Sequence, residues 1–374
     1  MKKINLLFVT LLSIICSLLF VSCELFDKGE TVVSVEGIPL DDEAGETPVI
    51  SNNTIIIPDF SGTIEKDNNS GFFTISINLT GVSDGGTGYL ELRGTGEDDQ
   101  NVWLDFHQTP KGILVEKISS TTRVKNDIVF LVDNSGSMSD EADGIAESIQ
   151  EWANELNDAG IDAQFACVGY NDYGTISGAI DFTDVTSISE YLDRYTGVSR
   201  TKGFDTTELS TMASDSEYTS ATGECGVVAL RYANDLFSFR EGSNRVYVNF
   251  TDEPNQTAGQ ANNSVEYVLS SDWTGKGTIH TVYSSTSCST SSSYNEDPRL
   301  LSEYTGGTSM TVSSSFSGVT LSSLSVSDAL LNSYIVTFTN IEDFVGTGLF
   351  YDVKVVIKDS STSVQSSKTL SMEL

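Results

Sequence analysis

Basic side chains are scarce in this sequence of 374 residues, where 53 acidic residues stand against only 20 lysines and arginines. The formal charge at pH 7 is −33. Because binding to phosphate groups needs clustered Lys and Arg, this charge argues against nucleic acid and against anionic lipid surfaces as partners. For most of the acid surplus we favour a simpler role, which is to keep the protein soluble.

Histidine and cysteine are also rare. The only histidines are His107 and His280, and the five cysteines form neither a Cys-x-x-Cys motif nor a Cys/His cluster. This composition argues against a zinc site. The Gly-x-Ser-x-Gly pattern of hydrolases and the phosphate-binding Gly-x-x-x-x-Gly-Lys-Ser/Thr loop are both absent. We therefore expect that the protein is not an enzyme.

The first 22 residues are predicted to be an export signal. Two lysines precede an apolar run over residues 4–21, whose length is marginal for a membrane span. The run ends in Leu19-Phe20-Val21-Ser22-Cys23, which resembles the lipobox of bacterial lipoproteins and implies that Cys23 becomes an acylated N-terminus. Phe20 stands where leucine is usual, so cleavage nearby and an uncleaved anchor are the alternatives. Removal of residues 1–22 takes away two lysines and no acids, which changes the charge from −33 to −35.

The rest of the chain is long enough for two hydrophobic cores. Residues 23–50 are rich in acids and glycine and lack periodicity, which indicates a flexible tether. Apolar and polar residues alternate within 51–125 and again within 316–374, as β-strands require. Because a few terminal strands cannot support a core alone, we expect these two segments to form one β-sandwich interrupted by residues 126–315. Two separate small β modules are the alternative.

Residues 126–315 alternate between strand and helix patterns. Asp127–Val132 is a short, nearly all-apolar run, which is typical of a strand covered on both faces. A helix follows, because apolar residues recur there at spacings of four, three and four: Ile145, Ile149, Trp152 and Leu156. Further strands are predicted at Ala163–Gly169, Val246–Phe250 and Thr278–Val282, and a further helix at Val227–Phe237. The pattern predicts an α/β fold with a doubly wound, mostly parallel sheet.

Three oxygen-bearing side chains follow the first of these strands. They are Asp133, Ser135 and Ser137, with Gly136 allowing a tight turn. In an open α/β sheet, ligands bind at the carboxyl ends of the strands. One carboxylate and two hydroxyls suit a small hard cation such as Mg²⁺, and leave it able to bind an anionic oxygen from outside. The alternative is a helix N-cap made by the same residue types.

This segment resembles the metal-ion-dependent adhesion site (MIDAS) of the von Willebrand factor A (vWA) family, whose pattern is Asp-x-Ser-x-Ser. Three later elements follow in the family's order. Ala221-Thr222-Gly223-Glu224 opens a helix, Thr251-Asp252 ends a buried strand, and Leu300–Gly307 matches the last helix with its Thr-Gly-Gly turn. The resemblance spans residues 126–315 and implies a Rossmann-like vWA domain.

The resemblance also implies a set of metal ligands: Asp133, Ser135, Ser137 and, through water, Asp252. In the second loop Glu224 is the preferred ligand, as in integrin β subunits, and Thr222 is the alternative. The implied ion is Mg²⁺ or Ca²⁺, with Mn²⁺ as a further candidate. The partner would be a protein or glycan that supplies a carboxylate to the metal.

Two residue pairs near this site have more than one interpretation. Asp140 and Glu141 resemble the acidic pair of a second metal site in integrin β chains, but the first turn of a helix also favours acids, and we prefer that reading. Cys225 and Cys288 are both expected on the metal-bearing face, which makes them candidates for a disulfide. Cys167 lies in a strand pattern and is expected to be a buried hydrophobic residue.

Taken together, these features predict a lipid-anchored protein of the bacterial cell envelope, in the outer membrane or at the cell surface. Its expected role is adhesion to a protein or glycan through the metal. The alternative is an assembly or scaffold subunit that docks a neighbouring envelope protein through the same site, and a hydrolase has the least support.

Overall fold

The computed structural model describes residues 35–118, 125–158, 161–171, 174–193, 217–219, 223–273, 275–313, 316, 320–324 and 326–374. The predicted export signal, Cys23 and Thr222 lie outside these residues. No helix in the described ranges has the length and apolar character needed to cross a bilayer.

Five short strands form the first part of the fold. They are β1 (Gly62–Lys66), β2 (Phe73–Leu79), β3 (Val102–Phe106), β4 (Thr109–Pro110) and β5 (Leu114–Lys117). Residues 35–50, which the sequence assigns to the tether, are packed against this part and include a short 3-10 helix, Asp41–Glu43. The Nζ atom of the buried Lys111 lies 2.9 Å from Oδ2 of Asp41, and Ile38 and Ala44 are buried.

An α/β domain follows. Its strands are β6 (Asn126–Asp133), β7 (Ala163–Tyr170), β8 (Ile176–Thr183), β9 (Asn244–Thr251), β10 (Asn255–Gln256), β11 (Thr278–Tyr283), β12 (Asn295–Glu296) and β13 (Ser309–Thr311). Its helices are α1 (Ala142–Asp158), α2 (Val185–Asp193), α3 (Gly226–Leu236) and α4 (Leu300–Thr305). Further 3-10 helices lie at Ser137–Asp140, Ala261–Asn263, Val265–Leu269 and Leu321–Ser323.

Six of these strands form one sheet in the order β13-β11-β9-β6-β7-β8. All neighbours in it are parallel except β7 and β8. The side chains of β6 alternate between two hydrophobic cores, with Phe130 packed on the α1 side and Leu131 on the α3 side. Burial on both faces explains why this strand reads as a continuous apolar run. The predicted mostly parallel sheet between helices is thus confirmed.

The last part of the chain contributes α5 (Val326–Leu331), β14 (Tyr334–Phe338), β15 (Phe350–Lys358) and β16 (Gln365–Glu373). In one antiparallel sheet β14 lies between β2 and β5, and in the other β15 lies between β16 and β3. Both sheets bury side chains in a single core. Strands from before and after the α/β domain therefore share one β-sandwich.

The α/β core extends beyond residue 315, the boundary predicted for that domain from the sequence. Its additional members are Phe316, Leu321, Leu324, Val326 and Leu330. The Trp152 indole of α1 donates a hydrogen bond to Ser327 Oγ, 2.9 Å away. The sequence from residue 316 to residue 330 is rich in serine and lacks clear periodicity. Its pattern therefore does not indicate which of the two cores the apolar residues join.

His280 of β11 makes the stability of this domain sensitive to mild acid. The side chain is buried, and burial lowers its pKa from 6.5 to about 4. Since the unfolded chain then binds a proton more readily than the folded chain, stability is full above about pH 6.5 and falls toward about pH 4.

We expect urea unfolding to show this loss directly. Between about pH 7 and pH 4.5, the wild type should lose about 2 to 3 kcal/mol more than His280→Gln. Equal losses in the two proteins would show that His280 does not contribute to the acid sensitivity.

Candidate metal centre

The candidate site lies where the order of the sheet reverses. From the central strand β6, the chain goes on to β7 and β8 on one side and to β9, β11 and β13 on the other. Asp133 is the last residue of β6, and Thr251 is the last residue of the neighbouring β9. Carboxyl ends of strands at such a switch point diverge into a crevice, which is where open α/β sheets bind ligands.

A chain of hydrogen bonds joins the predicted ligands of the first and third loops. The backbone N–H of Ser135 donates to Oδ1 of Asp133 at 2.9 Å. The Oγ atoms of Ser135 and Ser137 lie 3.0 Å apart, and Ser137 Oγ donates to Oδ1 of Asp252 at 3.1 Å. Asp133 and Ser135 are buried while Ser137 is exposed, so the chain runs from the sheet to the surface.

Thr251 contacts the Asp133 carboxylate directly and Tyr170 lies near it, and neither residue was assigned a role from the sequence. Thr251 Oγ1 donates to Oδ2 of Asp133 at 2.8 Å, and the hydroxyl of the buried Tyr170 lies 3.2 Å from Asn249 Oδ1. Burial raises the Tyr170 pKa well above its usual range, and the nearby Asp133 charge raises it further. The position of Thr251 at the end of a buried strand, next to Asp252, was the available signal.

Gln256 ties the second loop to the third. Its Nε2 atom donates to Oε2 of Glu224 at 2.7 Å, and its backbone N–H donates to the Glu224 carbonyl at 2.8 Å. Gly223 has a positive φ of 64°, and a Cβ there would lie 1.8 Å from Oε1 of Gln256. The positive φ favours glycine at this position, and a larger residue would displace the Gln256 amide from Glu224. Glu224 lies near enough for its charge to act on Asp133, whereas Thr222 lies outside the described residues.

Acidic side chains dominate the electrostatics of the candidate site. Burial raises the pKa of Asp133 from 3.8 to about 8, opposed by hydrogen bonds from Ser135 and Thr251 and reinforced by the Glu224 charge. The Asp252 pKa is also raised by burial. Burial and the Asp252 charge raise the Glu253 pKa. These shifts come from burial and from neighbouring acids, so a bound cation would favour the ionised form of Asp133.

The residues present fit a small hard cation. Asp133, Ser135, Ser137 and Asp252 offer only oxygen atoms, which are the ligands that Mg²⁺ and Ca²⁺ prefer. Within the described ranges there is no cluster of three or more His, Cys, Asp or Glu side chains that could enclose a metal. A site with two hydroxyls among its ligands does not depend on such a cluster, and zinc or another soft ion is a poor match for it.

The remaining residues singled out in the sequence lie around this centre or apart from it. Glu141 is buried and accepts a hydrogen bond from Ser284 Oγ at 3.4 Å, and the side chain of Asp140 is outside the described part. His107 follows β3, and its ring contacts Phe344 and Tyr351 of the β-sandwich. Neither histidine contacts the candidate centre.

The disulfide considered between Cys225 and Cys288 is not formed in the structure, where both residues are free thiols. Cys225 is buried, and its Sγ atom donates to Asn255 Oδ1 at 3.3 Å, beneath the first turn of α3. Cys288 is partly exposed and interacts with Tyr283 instead. The inward orientation of Cys225 explains the absence of a bond. Cys167, as expected, is buried in β7.

Comparisons with known proteins give matches among solved structures only. No family model matches the sequence, and no curated protein matches it. Among solved structures, the pilus adhesin SpaC from Lactobacillus rhamnosus GG, in its open conformation, aligns with a TM-score of 0.40 and 8% identity over 92% of this chain and 50% of that one. BatB from Bacteroides thetaiotaomicron aligns with a TM-score of 0.35 and 14% identity over 55% of this chain and 96% of that one.

An aerotolerance-related membrane protein from Bacteroides fragilis NCTC 9343 has a TM-score of 0.33 and 15% identity, over 55% of this chain and 98% of that one. The present chain spans about half the length of the SpaC structure. All three TM-scores are too low to establish a shared fold or a shared function.

Proposed function

We propose that this protein is an adhesion protein of the bacterial envelope, with a von Willebrand factor A type domain that binds a divalent cation in a metal-ion-dependent adhesion site. One observation carries the proposal. The buried Asp133 carboxylate lies at the sheet's switch point, and a chain of hydrogen bonds through Ser135 and Ser137 links it to Asp252 near the surface. A helix cap alone does not account for the link to Asp252, which belongs to a different loop and strand.

The side chains would divide the work as follows. Asp133, Ser135 and Ser137 would bind the cation directly, and Asp252 would hold it through water. Glu224 is our choice for the second loop, with Thr222 as the alternative, and Gln256 would position the Glu224 carboxylate. A bound Mg²⁺, Ca²⁺ or Mn²⁺ ion supplies a positive centre with a free position for an oxygen ligand from outside. The exposed Ser137 marks the side from which a ligand carboxylate would approach.

The proposed activity is binding and not catalysis. The histidines, which would be the natural general bases, lie in the β-sandwich and at β11, away from the Asp133 crevice. The strongly acidic surface repels anions at long range. A partner carboxylate would therefore bind only where the cation compensates this field, which makes recognition dependent on the metal.

Capture from envelope extracts tests the proposal. The immobilised mature protein should retain a protein or glycan in Mg²⁺ or Ca²⁺ and release it in chelator. Ser137→Ala should weaken the capture, because it removes a metal ligand at the surface, while Ser371→Ala, on the exposed side of β16, should not. If neither chelator nor Ser137→Ala reduces the capture seen for the wild type in Mg²⁺ or Ca²⁺, metal-dependent adhesion would be contradicted. Capture of an envelope protein from the same cell would favour the assembly role.

We also propose that Cys23 carries the lipid anchor, on the grounds of its lipobox-like position. In a bacterial host, Cys23→Ala should move the protein from the membrane fraction to the soluble fraction. The matched control is Cys16→Ala, which lies in the same apolar run and should leave the protein in the membrane fraction. An intact mass that shows an unmodified N-terminus elsewhere would contradict acylation.

A further inference from the structure

A cavity of about 360 Å³ lies between the β-sandwich and the α/β domain. One wall comes from Thr80, Gly81, Ser83 and residues 86–89, which follow β2. The opposite wall comes from β11 and the turn at residues 306–308 after α4. None of its lining residues belongs to the candidate metal centre. Its volume falls in the range of about 300 to 1,000 Å³ that is usual for small-molecule sites, and domain interfaces are a common place for such sites.

The lining mixes hydroxyl groups with apolar side chains and glycines, and it carries no charged side chain. Hydroxyl groups come from both walls, and the residues are Thr80, Ser83, Thr87, Thr278 and Thr308. No Asp, Glu, Lys or Arg lines the cavity, although these residues make up 20% of the chain. Because an ion buried without a partner is costly, this lining selects against charged ligands and suits a neutral one with many hydrogen-bonding groups.

His280 presents a hydrogen-bond donor to this cavity. Its Nδ1 atom accepts from the backbone N–H of Thr308 at 3.1 Å and lies 2.9 Å from Thr308 Oγ1. Because Nδ1 accepts, the proton of the neutral ring is on Nε2. No acceptor for Nε2 occurs among the residues that the structure describes, and the side chain is only 4% exposed. His280 lines the cavity, so its Nε2 donor is available to a ligand bound there.

Two glycines shape the walls. A Cβ on Gly307 would lie 1.8 Å from the carbonyl oxygen of Ile279, so only glycine lets the turn approach β11 and bring Thr308 to His280. A Cβ on Gly81 would lie 2.8 Å from Cε1 of Tyr89, so glycine also makes room for this aromatic ring in the opposite wall. The residues that line the cavity thus include an aromatic ring, several hydroxyl groups and one imidazole donor.

We propose that this cavity binds a neutral sugar residue. The sugar hydroxyls would exchange hydrogen bonds with the threonine and serine hydroxyls, and His280 Nε2 would donate to a sugar oxygen. The apolar C–H face of the sugar would lie against the Tyr89 ring. This site is independent of the metal, and it offers the protein a second means of holding a glycan.

Saturation-transfer NMR on the full mature protein in chelator tests this inference. The probes are D-glucose, D-galactose, D-mannose and N-acetyl-D-glucosamine, with D-glucuronate as the charged counterpart. At least one neutral sugar should bind, and D-glucuronate should bind at least about tenfold more weakly than D-glucose if glucose is a ligand. Thr87→Trp, at an exposed lining position, should block the cavity and abolish the signal.

Two further variants separate the cavity from other causes. Thr369→Trp, an equally exposed threonine in β16, should bind like the wild type. His280→Phe should bind about five- to tenfold more weakly, through loss of one hydrogen bond. Absence of binding by all four neutral sugars would overturn the proposal, and so would binding that survives Thr87→Trp. Because chelator is present throughout, the result does not depend on the metal site.

Discussion

Replacement of Asp133 by asparagine is expected to abolish the binding of Mg²⁺, Ca²⁺ and Mn²⁺ and to leave the metal-free protein at least as stable as the wild type. Asparagine keeps the shape of the side chain and an Oδ1 atom for the Ser135 N–H, but it removes the charge of the buried carboxylate among the proposed ligands. Loss of partners outside the coordination shell already costs about ten- to a hundredfold in metal affinity. Loss of a direct charged ligand should therefore exceed a hundredfold.

The stability part of this prediction follows from burial. In the absence of a cation, burial disfavours the charged form of Asp133 and raises its pKa to about 8. A neutral amide avoids this cost, so the melting temperature in chelator should stay unchanged or rise. Calorimetric titration and thermal unfolding measure the two effects. Asp328→Asn, an exposed carboxylate on α5, is the matched control and should bind metal normally. Normal affinity in Asp133→Asn would reject this residue as a ligand.

Replacement of Arg240 by methionine is expected to cause the largest loss of stability among the substitutions considered. Arg240 Nε lies 2.7 Å from Oδ1 of the fully buried Asp127, and its Nη1 lies 2.6 Å from Oδ1 of Asp162. Through Arg240, these two ion pairs link Asp127 near the start of β6 to Asp162, the residue before β7. Removal of the arginine leaves the Asp127 charge buried without its partner, which typically costs about 3 to 5 kcal/mol.

Denaturant unfolding provides the measurement, and the chain offers two controls. Arg299→Met breaks an ion pair with Asp297 that is about one-third exposed, so it should cost no more than about 1 kcal/mol. Addition of Asp127→Asn to Arg240→Met should restore part of the lost stability, because the buried charge is gone. If Arg240→Met and Arg299→Met lower the free energy of unfolding by the same amount, the buried pair of Arg240 and Asp127 does not stabilise the domain as expected.

The sequence predicts strands and helices best where one pattern is continuous. The buried β6 and the amphipathic α1 are both clear, because each buries a full face against a core. The edge elements β8 and α2 were not predicted, since the partly exposed half of β8 lacks a continuous apolar run. The extent of the α/β core beyond residue 315 was also missed. Local periodicity carries no information about which of two cores a serine-rich segment will join.

At the candidate site, the sequence identified the residues that carry the oxygen atoms, and the structure added those that position them. Asp133, Ser135 and Ser137 are close in sequence, so a short motif suffices to find them. Thr251 and Gln256 act across loops that are far apart in sequence, and their roles depend on strand pairing and on the close approach at Gly223. Such contacts have no local pattern, which is why spacing alone did not reveal them.

A crystal of the mature protein grown in Mn²⁺ gives the most direct test of the metal centre, because anomalous scattering locates the ion without assumptions about its ligands. The account predicts a peak bound by Asp133 Oδ and by the Oγ atoms of Ser135 and Ser137, with Asp252 at one water's distance, and no peak there in Asp133→Asn. A crystal grown at saturating Mn²⁺ that shows no anomalous peak among these three side chains would contradict the proposed metal centre. The segment would then be a helix cap.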